Sequence, residues 1–290
     1  MLIVVTNSIV NYNANFKIST SINKIIIGDS HPECAYNDSL ISNFGNYAAS
    51  GESYFYSYFK LKKIIEQNKN IDTVFLEFSN NLLGVTIDNR IWDNEPMISR
   101  YDKYGAFIDI DANVLIASYN PIGYFDELSF LLKNNLNCIA TNNYIFWNNM
   151  GGYLYLNRNK TDSLVDNLPA VDVNVYKVPP HTIKYLKNTI DLCTKNGIKV
   201  FLIRSPMHQK YEMRNNEKLF QRTLLENFPN VEFLDLKDYP APNNEFGDLH
   251  HLNYKGAKRY STFFNCLIKK GLLISKNKLL FIDNEILTKK

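Results

Sequence analysis

The chain is poor in the residues that staple small scaffolds. It has 4 cysteines in 290 residues, at positions 34, 138, 193 and 266. They show none of the short paired spacings of a zinc site, so a disulfide framework and a zinc ribbon are excluded and free thiols are expected. Cys34 has no basic neighbour in sequence and reads as a small buried hydrophobe. No apolar run is long enough to span a bilayer. Met1-Leu2-Ile3-Val4-Val5 turns polar at Thr6-Asn7-Ser8, too soon for a signal-peptide core. The chain therefore reads as cytoplasmic without an integral membrane segment, and a cell-envelope location is the alternative if an N-terminal anchor or signal is missing. Positive charge is not concentrated either. The net charge is +3, and lysines gather only near the end, at Lys269, Lys270, Lys276, Lys278, Lys289 and Lys290, so nucleic acid is not expected as a partner. No glycine-rich phosphate loop occurs and no His/Asp/Glu spacing demands a metal, so no cofactor is expected.

What is present is ordinary for a folded protein: 45% hydrophobic and 21% charged residues. The length suits one domain, residues 1–290, carrying a sizeable insertion. Apolar β-branched runs alternate with helix-period stretches. Lys24-Ile25-Ile26-Ile27 is ended by Gly28, and Pro32 suits the first turn of a helix beginning just after Ser30. A short strand is expected from Phe44 to Ala48, and Tyr54, Tyr58, Leu61, Ile64 and Ile65 recur at helical spacing before a strand from Thr73 to Phe78. The pattern resumes with a helical face of Ile183, Leu186, Ile190 and Cys193, capped by Gly197, and then the strand Ile198 to Ile203. Phe220, Leu224 and Phe228 mark the next helix, Val231 to Leu236 the next strand, and Ala257, Tyr260, Phe264 and Leu267 a last long helix. Such a series predicts a three-layer α/β/α fold around a flavodoxin-like parallel sheet of about five strands. Residues 82–178 interrupt it and are rich in Asn, Tyr and Trp, including Trp92, Tyr144, Phe146, Trp147, Tyr153 and Tyr155. They read as an insertion whose aromatics form its own core or shape a substrate pocket at the strand ends.

Two distant segments carry chemistry. In Gly28-Asp29-Ser30-His31-Pro32 a serine follows a buried strand and opens a helix, at the sheet edge where α/β folds bind ligands. In Gly247-Asp248-Leu249-His250-His251 an acid precedes a histidine by three residues. That spacing lets the carboxylate take the imidazole Nδ1 proton while Nε2 points outward, as a serine nucleophile needs. His250, two residues from Asp248, fits so short a loop less easily. Asp29 reads as an anchor of its turn.

In these blocks the chain resembles the SGNH (GDSL-like) hydrolase superfamily, its bacterial polysaccharide O-acetylation and deacetylation relatives included. Gly28-Asp29-Ser30 matches the first block, with Ser30 as nucleophile. Asn46-Tyr47-Ala48-Ala49-Ser50-Gly51 looks like the second, placing the Gly51 N–H in the oxyanion hole beside that of Ser30. Ser79-Asn80-Asn81-Leu82 stands where the family has Gly-x-Asn-Asp. Asn81 takes the oxyanion asparagine's place, while Ser79 and Leu82 depart from the pattern and leave Asn80 as a substitute. Asp248 and His251 match the closing Asp-x-x-His. The resemblance covers residues 24–81 and about 180–268. It implies a Ser30-His251-Asp248 triad that removes a small acyl group, most plausibly acetyl, from a carbohydrate or similar polar ester. The alternatives are transfer of that acyl group to a glycan hydroxyl, or an inactive binding protein that keeps the fold. Arg204 and His208, after a buried strand at the same sheet edge, are candidates for substrate contact, as is His31 beside the nucleophile.

Overall fold

The computed structural model describes residues 1–168 and 176–288. Five strands, β1 (Lys24–Ile27), β2 (Phe44–Asn46), β3 (Thr73–Glu77), β4 (Lys199–Arg204) and β5 (Glu232–Asp235), form one parallel sheet in the order β2-β1-β3-β4-β5. Eleven helices accompany them among the described residues: α1 (Leu2–Asn13), α2 (Ser30–Ala35), α3 (Tyr54–Gln67), α4 (Asn94–Tyr104), α5 (Ile110–Tyr119), α6 (Pro121–Thr141), α7 (Thr161–Asp166), α8 (Pro180–Lys195), α9 (Glu217–Asn227), α10 (Tyr254–Lys269) and α11 (Lys278–Leu287).

The strands read as near-continuous apolar runs because both faces of the sheet are covered. Successive side chains leave a strand in opposite directions. Ile25, Ile27, Val74, Leu76 and Leu202 therefore join one core with Phe55, Leu186 and Phe220 from α3, α8 and α9. Ile26, Phe75, Phe201, Ile203 and Leu234 join the other, with Tyr260 and Phe264 from α10 and Ile282 from α11. This is the three-layer α/β/α arrangement with a five-stranded parallel sheet that the alternating pattern predicts. Strand ends differ by a residue or two. The expected run to Ala48 stops at Asn46 because the Asn46 Oδ1 accepts the Ala48 N–H at 2.9 Å and turns the chain out of the ladder.

Residues 82–178 lie in the connection from β3 to α8. They contribute α4 to α7 and pack Trp92, Met97, Tyr101, Tyr104 and Phe107 into the core on the α3 side. Tyr155 stays exposed. Helix α1, which packs against α6, has no counterpart in the sequence reading, where residues 1–8 figured only as a short apolar start. No helix among the described residues is long and apolar enough to cross a membrane.

Candidate active site

The chain leaves β1, runs to β2 on one side and then to β3 on the other, so the carboxyl end of β1 is the switch point of the sheet. Gly28 stands there. A Cβ on it would come within 2.6 Å of the Glu77 Cβ and 2.7 Å of the Pro32 Cγ, so only glycine lets the turn close against β3. Asp29 then caps α2, its Oδ1 accepting the His31 N–H at 3.1 Å. Its Oδ2 accepts from Asn81 Nδ2 at 2.8 Å and from Arg90 Nη1 at 3.2 Å. Burial opposes ionisation of this carboxyl, but Arg90 and the hydrogen bond from the His31 backbone N–H outweigh it and hold it below the usual carboxylate range. Ser30, the first residue of α2, is thus fixed by its neighbour's cap and not by its own hydroxyl. Asn46 fastens α2 from behind, its Nδ2 donating to the carbonyls of Pro32 at 2.9 Å and Tyr36 at 2.8 Å.

The second segment lies between β5 and α10. Asn253 caps α10, accepting from the N–H groups of Lys255 (3.0 Å) and Gly256 (3.2 Å) while its Nδ2 donates to the carbonyls of Asn244 (2.9 Å) and Phe246 (3.1 Å). Gly247 N–H closes the turn on the His251 carbonyl at 2.8 Å. Within it, Asp248 Oδ1 accepts the N–H groups of His250 and His251, each at 2.8 Å, an Asx turn that orients the carboxylate. The His251 ring follows from that turn: Nδ1 lies 3.0 Å and 3.1 Å from the two Asp248 oxygens, and Nε2 lies 2.8 Å from the Ser30 Oγ. An ionised carboxylate only accepts, so Nδ1 carries the proton and Nε2 receives the serine hydroxyl. Burial works against the Asp248 charge, but the hydrogen bond and charge of His251, the backbone donors and Arg158 hold its carboxyl well below the usual range.

His250 turns elsewhere. Its ring lies tilted 4.3 Å from that of Tyr211, and its Nε2 is 3.8 Å from Glu212 Oε1. His31, expected as a substrate contact, is instead a wedge, 3% exposed, with its ring 5.3 Å from that of His251 and 6.0 Å from Tyr211. Burial pushes its pKa down to about 3, so it packs as a neutral ring. The ordinary value is 6.5 and the folded value lies below it, so the unfolded chain binds the extra proton first as pH falls. Stability is therefore lost progressively below about pH 6.5, by up to about 1.4 kcal/mol per pH unit. Thermal melting between pH 7 and pH 4 should show that loss in the wild type and a flatter profile in His31→Gln.

Other expected contacts are corrected by the hydrogen-bond network. Asn81 gives one amide hydrogen to Asp29 and accepts the Ser79 hydroxyl at 2.6 Å, so it clamps the nucleophile turn and has at most one hydrogen left for an oxyanion. Gly51 lies in an exposed turn with φ 70°. Arg204 is fully buried, its donors taken by Asp235, Glu217 and Asn80, and it cannot reach a substrate. Asn80 is equally committed, donating to Asn216 at 2.8 Å and Glu217 at 3.0 Å. His208 is held between the Asn243 side chain at 3.0 Å and the Lys210 N–H at 3.1 Å. Arg204 thus belongs to a strand-end ion network. Arg204→Ala should cost about 2–3 kcal/mol in denaturant unfolding, less than a fully dry pair, because Glu217 and Asp235 keep some contact with water.

Asp248, His250 and His251 are the one group of three metal-capable side chains among the described residues, with ligand atoms within 4.8 Å of one another. A cation there would displace both Arg158 and the Asp248–His251 hydrogen bonds. Burial pushes the Cys34 thiol up to about 12, which keeps it a packing residue. Two cavities lie away from Ser30: one of about 750 Å³ between α4 and α6, and one of about 600 Å³ where α8 meets β4 and β5. Sequence reasoning missed Arg90 and Arg158, whose partners Asp29 and Asp248 are 61 and 90 residues away, and no local pattern marks either.

A family model for a domain of unknown function matches residues 172–273, the stretch that contains α8 to α10 with Asp248 and His251. No curated protein matches the chain. A solved structure described as "a putative platelet activating factor from Streptococcus pneumonia" is similar at 14% identity and a TM-score of 0.38, over 92% of this chain and 91% of that one.

Proposed function

We propose that the protein is a serine esterase or deacylase that cleaves a small acyl ester, most simply acetyl, of a carbohydrate or similar polar substrate. The observation that carries this reading is the unbroken hydrogen-bond chain from the Ser30 hydroxyl through both nitrogens of His251 to Asp248. In the reaction, Ser30 Oγ attacks the ester carbonyl carbon as His251 Nε2 takes its proton, and Asp248 stabilises the imidazolium that forms. Negative charge develops on the carbonyl oxygen. The Ser30 N–H, which as the first residue of α2 has no acceptor within its helix, is the donor this reading assigns to it. Collapse breaks the ester bond. His251 returns its proton to the departing alcohol, and the acyl group remains on Ser30. Water then attacks the acyl-serine with His251 as base, releasing the acid and restoring the hydroxyl. The exposed Tyr155, its ring stacked 4.6 Å from that of Tyr254 at the start of α10, supports a sugar-bearing substrate.

The test is release of acetate from p-nitrophenyl acetate and from O-acetylated sugars, with and without a free glycan acceptor. Enzyme-dependent release that weakens as the acyl chain lengthens supports the reading. Product found on the glycan in place of free acetate makes the same triad a transferase. No turnover of any ester overturns both.

A further inference from the structure

Residues 151–160 of the insertion run as an extended strap across the site. Gly152 N–H donates to the Ala48 carbonyl at 3.0 Å and Leu154 N–H to that of Glu33 at 2.9 Å. Leu156 O accepts from Tyr254 N–H at 3.0 Å, and Lys160 N–H donates to Gly247 O at 2.9 Å. Gly152, Leu154, Leu156 and Lys160 are thus tied, in turn, to the segment after β2, to α2, to α10 and to the histidine loop. Arg158 falls between the last two anchors and its Nη2 pairs with Asp248 Oδ2. Gly247 makes room for it: a Cβ there would come within 2.6 Å of Leu156 Cδ2 and 3.2 Å of Arg158 Cγ.

Resting on the esterase reading, we propose that Arg158 is a positioning residue that acts through Asp248, so that the insertion and not the sheet domain fixes the outer edge of the triad. Asp248 Oδ1 is anchored by two backbone N–H groups, whereas Oδ2 has only the His251 ring and Arg158. Without the guanidinium the carboxylate is free to rock about its last bond, and the ring that follows it loses its aim at Ser30. The charge acts in the same place. Arg158 opposes the positive imidazolium of His251 by partly neutralising the carboxylate that favours it. The other groups facing His251 are Asp248 and His250 from its own loop, His31 from α2 with the Asp29–Arg90 pair behind it, and Glu212 beside His250. Among the basic ones, Arg158 alone touches the triad's acid.

The test compares wild type, Arg158→Gln and Arg158→Lys by two readouts. The first is the low-field proton resonance of the His251 Nδ1–H hydrogen bond to Asp248, which needs no turnover. The second is kcat and KM on p-nitrophenyl acetate. In Arg158→Gln the resonance should broaden or disappear and turnover should fall about 10-fold with little change in KM, and Arg158→Lys should restore most of both. An unchanged resonance in a variant that melts like the wild type overturns the proposal. A resonance lost in Arg158→Gln, when the wild-type protein turns over no ester, sustains the coupling while removing the esterase reading.

Discussion

Ser30→Ala should lower turnover of an activated acetate ester by about six orders of magnitude. The size follows from the chemistry, since without the Oγ there is no atom on which the acyl group can rest, and the remaining donors stabilise a charge that no nucleophile creates. The variant isolates chemistry from folding because α2 is capped by Asp29 and not by Ser30. Melting should therefore move by no more than about 0.5 kcal/mol in equivalent stability. Steady-state kinetics beside a denaturation curve checks both parts. Residual turnover above about a hundredth of wild type would move the nucleophile elsewhere.

Asp248→Asn should cost about four orders of magnitude while leaving the fold intact. Oδ1 now accepts two backbone N–H groups, and an asparagine keeps that turn only by leaving its oxygen there. Its NH₂ would then face His251 Nδ1, a donor against a donor. The ring escapes by moving its proton to Nε2, which turns a hydrogen toward Ser30 and removes the base. A loss of less than about 10-fold, with the turn preserved, would show that His251 needs no carboxylate to orient it.

The parts legible in the sequence are those whose cause is local. The run Lys24 to Ile27 and the glycine after it specify a buried strand and a tight turn by composition alone, and the Asp248–His251 spacing specifies an Asx turn whose acid and base must meet. The Asp29 anchor follows from the same local logic. What was not legible depends on partners far along the chain. Arg204 looked like a site residue because it ends a strand at the functional edge and Asn80 because it sits in a motif block, but Glu217 and Asp235 draw Arg204, and Glu217 draws Asn80, into one ion network. Asn81 matched a motif position, and the Asp29 carboxylate claims its amide across 52 residues. Helix α1 has no charged residue to mark an outer face, so its periodicity is faint, and its packing on α6 is a tertiary effect. Arg158 carries no signal at all until the strap is folded.

The central claim is that the Ser30 hydroxyl is activated by His251, and the most direct measurement is the mass of the protein after exposure to a fluorophosphonate, with the modified peptide sequenced. The account predicts a single adduct on the peptide holding Ser30, absent from Ser30→Ala and strongly suppressed in His251→Ala. An unmodified wild-type protein, or an adduct on any other residue, would contradict it.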